Sequence, residues 1–442
     1  MPALGHAGDS RILLTLLSQS SIPDKITQHM KKHIHYILSA SALLLLFHDH
    51  ASATTYRITE LGDLSGGASY SVATSINNAG QVVGYSESAS GLQSFLWQSG
   101  NIQGLGYLPG GSWFSVANSI NELGHVAGTS QASTGARAFI WSSSEGVRDL
   151  GDLPGGADIS SGNALNDAGQ VVGSSRTANG DRAFLWDNNS GLQNLGSLPS
   201  WAFNSSFATG VNNAGLVVGY GESQYLSTQT KRAFLWSSGG AMEDLGDLSP
   251  NTFSYTVGRA INDQGQVVGS SALDPIGSLS HERAFLWSAS TGMQDLGALA
   301  GDSDSWAYSI NDRGQVVGMS ASSESGFMAG HEAFIWESGQ MHNLNSLIDS
   351  SDPLFGLFTL TAALDINDLG QIVGYGTLSG ELRAFLITPE AATNSVPEPP
   401  PLGLMVSAGI GALIVSRKKK THHCTARRNT KETQPPSLRG RS

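Results

Sequence analysis

The chain has 442 residues, a formal net charge of −12 and one cysteine, Cys424. Charged residues make up 14% and Gly reaches 54 without a Gly-X-Y period, so short strands and turns are expected rather than charged surface helices or a collagen-like rod. The lone cysteine excludes an internal disulfide and a cysteine metal cluster, and the acidic balance argues against a nucleic-acid partner.

The N-terminus reads as an address. Met30-Lys31-Lys32-His33 is basic, Ile34 to Phe47 is apolar, and Ala51-Ser52-Ala53 is a small-x-small cleavage site. That order is the grammar of a secretory signal peptide, with an apolar run too short to span a bilayer alone. Residues 1–29 then read as an over-extended, disordered start and 30–53 as the signal helix.

The middle repeats seven times. Asn-x-x-Gly-x-φ-φ-Gly (φ apolar) recurs from Asn77, Asn121, Asn166, Asn212, Asn262, Asn311 and Asn367, with spacings of 44, 45, 46, 50, 49 and 56. A second string, Phe-Leu/Ile-Trp, begins at Phe95, Phe139, Phe184, Phe234, Phe285 and Phe334, with a Trp-less copy at Phe385. A third, Leu-Gly-x-Leu, begins at Leu61, Leu105, Leu150, Leu195, Leu245 and Leu296, and degenerates at Leu344-Asn345-Ser346-Leu347.

Each unit reads as four short strands. The first runs into the Asn, and a tight turn follows in which Gly supplies the positive φ. Gln-Val-Val-Gly opens the second, Ala-Phe-Leu-Trp is the third, and the stretch ending in Leu-Gly-x-Leu is the fourth. A four-stranded unit every ~45–50 residues predicts an all-β, seven-bladed β-propeller over residues 54–389. The chain enters at Tyr56 to Leu64 as a lone fourth strand and leaves at Phe385-Leu386-Ile387 as a third. The N-terminal strand is therefore expected to complete the last blade and close the ring, removing both free edges. The repeat resembles the extracellular HAF family of secreted bacterial proteins, although the His-Ala-Phe string stands here as Arg-Ala-Phe or Glu-Ala-Phe. The resemblance implies fold and location and no catalytic activity.

After a linker at 390–401 carrying Val396, Pro397, Glu398 and Pro399 come an apolar run at 402–416, expected as a transmembrane helix, and the cluster Arg417, Lys418, Lys419 and Lys420. At 1.5 Å per residue the run spans ~22 Å against a core of ~30 Å, with the basic end expected inside. Pro-Glu-Pro, short apolar helix and basic cluster resemble the PEP-CTERM sorting signal of Gram-negative bacteria. The resemblance implies an exosortase-type membrane protease as partner, a membrane-tethered precursor, and then the cell surface or matrix. The chain departs from that family by continuing, with 417–442 expected as basic cluster and disordered tail.

Most repeated residues read as structural. The six third-strand tryptophans are expected between neighbouring blades, and the glycines Gly84, Gly128, Gly173, Gly219, Gly269, Gly318 and Gly374 are expected to leave room for them. Small residues four before each Asn, such as Ala73 and Gly162, are ascribed to crowding near the axis. Asp167, Asp263, Asp312 and Asp368 are ascribed to turn chemistry rather than a calcium loop. His125, His281, His331 and His342 are far apart in phase, so neither metal nor other cofactor is expected.

Loops on a rigid scaffold are where function is sought. Those between fourth and first strands hold Trp113, Phe114, Trp201, Phe203, Phe253 and Tyr255, with Trp306 and Tyr308 at a strand start. These suit a shallow face that stacks on sugar rings, pointing to a non-catalytic structural or glycan-binding role in an exopolysaccharide matrix. A polysaccharide hydrolase or lyase would need carboxylates converging on that face, with Asp302, Asp304, Glu222, Glu282 and Glu324 as candidates. A protein–protein adaptor is a third reading. Residues 54–395 hold 11 Lys+Arg against 31 Asp+Glu, a net charge of −20, which keeps such a body soluble and off anionic surfaces.

Overall fold

A computed structural model describes residues 54–199, 205–225, 228–249, 255–273, 281–322 and 330–390. The signal segment, the sorting motif with Arg417 to Lys420, Trp201, Phe203, Phe253 and Glu324 lie outside them. Among the described residues no helix is long and apolar enough to cross a membrane, and the expected span at 402–416 lies outside them.

The described residues are all-β apart from one 3-10 turn, Leu344–Leu347. Its strands form five four-stranded sheets and one eight-stranded sheet, with consecutive strands paired antiparallel. The larger sheet is two four-stranded units joined where Gly91 and Leu92 pair in parallel with Trp113 and Phe114. In the first unit the strands are Gly66–Ile76, Val82–Ser88, Gly91–Gln98 and Asn101–Gly104. The strand Tyr56–Glu60 pairs with Glu381–Pro389, in register from Tyr56 opposite Pro389 to Glu60 opposite Phe385. The last sheet therefore takes its fourth strand from the start of the chain, and Arg57 holds Glu390 at 2.5 Å across that seam.

Packing follows the repeat. Among the described residues there are seven core clusters, each joining apolar residues of consecutive repeats; one unites Ala73, Val82, Phe95 and Trp97 of the first with Val373, Ala384 and Leu386 of the last. The seven Phe of the Phe-Leu-Trp string and its Trp-less copy have no exposure, while five of the six following Trp retain 5–9% and Trp336 more. Phe is thus the deepest residue of the unit.

That order corrects the role expected of the glycines. A Cβ on Gly128, Gly219, Gly269 or Gly318 would strike the carbonyl oxygen of the first strand and, within 2.8–3.0 Å, the ring of the Phe directly opposite on the third strand, not the Trp. The small residue four before each Asn is corrected too. A Cβ at Gly258 would lie 2.6 Å from Val218 Cγ2 and one at Gly162 2.9 Å from the Gly128 carbonyl, so the preceding repeat's second strand sets the size limit, not the axis.

Leu-Gly-x-Leu likewise lies just beyond the fourth strand. That strand ends at Gly104, Asp149, Asn194, Asp244 and Asp295, and the Gly of the tetrad turns with φ of 80–87°. The first Leu keeps one bond to the third strand (Leu105 N to Ser94 O, 2.9 Å), and the second donates to a serine of the following repeat (Leu108 N to Ser130 Oγ, 3.0 Å).

Candidate functional site

The repeated Asn is more than a turn former. Each is at most 5% exposed, and its Oδ1 accepts amides of its own turn, as Asn77 Oδ1 does from Gln81 N at 3.0 Å. Its Nδ2 donates to the backbone carbonyl of the next repeated Asn. These bonds run 77 to 121, 166, 212, 262, 311 and 367 at 3.0–3.1 Å, and the seventh, from Asn367, returns to the carbonyl of Asn77.

The next residue of each turn makes a second series. The amides of Asn78, Glu122, Asp167, Asn213, Asp263, Asp312 and Asp368 each donate to the side chain of the following member at 2.8–2.9 Å, Asp368 returning to Asn78 Oδ1. The turn carboxylates therefore tie neighbouring repeats together, rather than serving their own turns as expected. Burial and the charges of Asp263 and Asp368 hold the Asp312 carboxyl above its ordinary range, opposed by the amide bond it receives. Among the described residues no group of three or more His, Cys, Asp or Glu is placed to hold a metal.

These turns line one cavity of about 270 Å³, and beyond them Ile76, Ile120, Leu165, Val211, Ile261, Ile310 and Ile366 line both it and a second cavity of about 260 Å³. The second is walled by the residues three before each Asn. Four of these again bridge forward: Thr74 to Ala117 O, Asn118 to Gly162 O, Asn163 to Ala208 O and Thr209 to Gly258 O, at 2.7–2.8 Å. In the last three repeats the position holds Arg259, Tyr308 and Leu364. Asp365 takes over the bridging there, accepting from Ser309 Oγ (2.6 Å) and Ile366 N (2.9 Å) on one oxygen and from Ser75 Oγ (2.8 Å) and Ile76 N (2.9 Å) on the other. Burial pushes its carboxyl up, and those four bonds hold it back.

The sequence-predicted aromatics among the described residues do not form one group. Tyr308 is not on an open face: it lines the second cavity under Arg259, whose guanidinium carbon is 4.9 Å from its ring, and burial pushes its phenol up to about 12. Tyr255 shares Lys231 with Tyr220, the ammonium lying 5.0 and 4.8 Å from the two rings. Burial pulls that ammonium down, but a hydrogen bond to Tyr255 and the nearby Tyr220 and Glu222 more than offset it. Trp306 donates from Nε1 to Glu282 at 2.8 Å and lies 6.3 Å from the His331 ring. Trp113 is 60% exposed, rests 5.8 Å from Phe114, and has φ of 65°, a left-handed conformation costly for a bulky residue. Of the rim carboxylates, Asp304 is taken up by the Glu282 amide and Ser303, and Glu282 by Trp306. Sequence reasoning missed Arg259, Lys231, Tyr220 and Asp365; the readable signal was the break in residue type at fixed positions of the repeat.

The molecule is thus an all-β repeat protein of four-stranded antiparallel sheets. It belongs to the family described as Protein of unknown function (DUF3466), whose profile matches residues 147–248 and 241–385. No curated protein matches it. Among solved structures it is similar to a mutant of AofleA from Arthrobotrys oligospora, at 13% identity over 67% of this chain and 92% of that one, with a TM-score of 0.36. It is also similar to the acylaminoacyl peptidase of Pyrococcus horikoshii, at 11% identity over 71% and 52%, with a TM-score of 0.44. A protein of unknown function from Dyadobacter fermentans matches at 10% identity over 76% and 100%, with a TM-score of 0.37.

Proposed function

We propose that the seven repeats are the blades of a closed β-propeller of the HAF type, exported by the N-terminal signal and sorted through its PEP-CTERM-like tail by an exosortase-type protease. Support for closure comes from the two hydrogen-bond series that return to Asn77 and Asn78, the core cluster uniting last and first repeats, and the borrowed strand Tyr56–Glu60. In this reading the propeller is a non-catalytic, glycan-binding component of an extracellular polysaccharide matrix.

Trp113 carries the glycan reading. A large aromatic held at φ of 65° and left 60% exposed costs backbone strain and returns little packing, which is how residues at ligand contacts behave. Gly91 opposite it is required, since a Cβ there would lie 2.6 Å from the Trp113 carbonyl oxygen. The test is retention on the producer's own polysaccharide after Trp113, Trp201 and Trp306 are replaced by Ala. Retention should fall sharply in the folded variant, and unchanged retention refutes glycan contact. The mass of the exported protein should place its end near Pro397-Glu398-Pro399.

A further inference from the structure

Where the forward bridges from the residue three before each Asn stop, the side chains that replace them line a cavity. Arg259 stands where Thr209 stands one repeat earlier, and among the described residues its guanidinium makes no hydrogen bond or ion pair. Its Nε is shielded from solvent and lacks an acceptor, and its charge lies against the ring of Tyr308. A guanidinium carries five N–H donors and no acceptor, so only an acceptor from outside it can satisfy them. Removing a donor from water without a partner is costly, and more so when it is charged.

The cavity's own carboxylate does not meet that need. Asp365 already accepts four hydrogen bonds, two on each oxygen, and makes no ion pair with Arg259. Glu282 and Glu222 are the other acids whose charge reaches this cluster, and neither pairs with Arg259: Glu282 accepts from Trp306, and Glu222 acts on Tyr220 and Lys231. The rest of the wall is uncharged: Thr, Ser and Asn side chains beside the aliphatic residues shared with the first cavity. The Tyr308 phenol, raised by burial, stays protonated, and Asn118 spends one amide hydrogen on Gly162 and keeps the other. A guanidinium with no acceptor from the protein, its Nε cut off from solvent, beside hydroxyl and amide groups, is the complement of a carboxylate attached to a polyol.

We propose that this cavity binds a sugar acid, its carboxylate on Arg259 and its hydroxyls on Tyr308 and Asn118. At about 260 Å³ the space falls just below the ~300–1,000 Å³ of ordinary ligand pockets and takes one sugar unit, either free or at the end of a chain. The ligand class rests on the glycan reading above, while the site rests on Arg259.

Calorimetric titration of the full-length protein with glucuronate, glucose and inorganic phosphate tests it. Glucuronate should bind, and glucose and phosphate should bind at least about tenfold more weakly, since neither offers both carboxylate and ring hydroxyls. Arg259→Gln should weaken glucuronate by about tenfold or more, Arg259→Lys by less, and Tyr308→Phe should weaken it while keeping the cation. Should Arg259→Gln fail to fold, Arg259→Lys and Tyr308→Phe decide. No glucuronate binding, unchanged binding in these variants, or phosphate binding equally well would each overturn the proposal. Polysaccharide retention lost in the tryptophan variants while glucuronate still binds supports this site. Retention intact without glucuronate binding overturns this site alone, and oligosaccharides ending in glucuronate separate chain end from free acid.

Discussion

Replacing Asn367 by Ala tests whether the repeats close on themselves. The side chain makes four hydrogen bonds: Nδ2 to Asn77 O (3.0 Å) and Gln371 Oε1 (2.9 Å), and Oδ1 from Leu369 N (3.1 Å) and Gln371 N (2.9 Å). At about 1 kcal/mol per neutral bond the loss is about 3–4 kcal/mol, of which the bond to Asn77 is about 1. Asn311 makes the same four, its forward bond reaching Asn367 O, so Asn311→Ala is the matched control. In a closed ring both variants lose the same set and should agree within about 0.5 kcal/mol. In an open stack the last Asn has no forward partner, and Asn367→Ala is cheaper by about 1 kcal/mol. Urea denaturation of the full chain, followed by the fluorescence of the buried tryptophans, reads both. Asn367→Ala costing at least 1 kcal/mol less than Asn311→Ala, or less than about 1 kcal/mol in all, refutes closure.

Three further outcomes follow from the same geometry. Gly173→Ala should cost about 3 kcal/mol or more, because its Cβ meets the Ser161 carbonyl and Phe184 Cζ, whereas Gly169→Ala, at φ of 77° in open space, should cost about 1–2 kcal/mol in the same urea assay. Asp365 is an acid whose folded pKa is raised, so the native state holds its proton more tightly than the unfolded chain. Its contribution to stability should therefore fall as pH rises from the ordinary aspartate range through the raised value. Urea midpoints between about pH 4 and pH 7 should show that fall in the wild type, shared in sign by Asp312, and a shallower one in Asp365→Asn. Trp113→Gly should relieve the left-handed strain and leave stability within about 1 kcal/mol of wild type while retention on polysaccharide drops; a large loss of stability would make Trp113 structural.

The strand plan was legible because the repeats wrote it seven times. The positive φ of Gly80 and its six counterparts, and the pairing of Tyr56–Glu60 with the last sheet, follow from turn chemistry and from the phase at which the chain starts and stops. The inter-repeat bonds of Asn77 and Asp167 were not legible, because turn propensity already accounts for Asn and Asp at those positions and hides a second use. Nor was the exchange of roles between Phe and Trp: both are large and apolar, and only the register, with Gly173 opposite Phe184, shows which one fills the narrow space. The aromatic candidates were read as a loop surface, yet Tyr308 lines the second cavity: it shares a face of the strand Asp304–Ile310 with Trp306, but two residues carry it about 7 Å further toward the Asn turn.

The two ends of a repeat are under different constraints. At the Asn turns every position of both hydrogen-bond series must supply the donor or acceptor its neighbours need, and in the buried Asn series a change at one repeat leaves a buried carbonyl unmet in the next. Three residues up the strand that rule has already relaxed: four side chains bridge and three do not, because Asp365 reaches Ser309 on one side and Ser75 on the other. One buried carboxylate thus replaces bridges at two junctions and frees the positions of Tyr308 and Leu364. The remaining junction is covered by Arg259 lying on Tyr308, a contact that secures the guanidinium's face but none of its N–H groups. A chain that could have placed Thr or Asn there, as it did in four other repeats, instead carries a cation with its donors unspent.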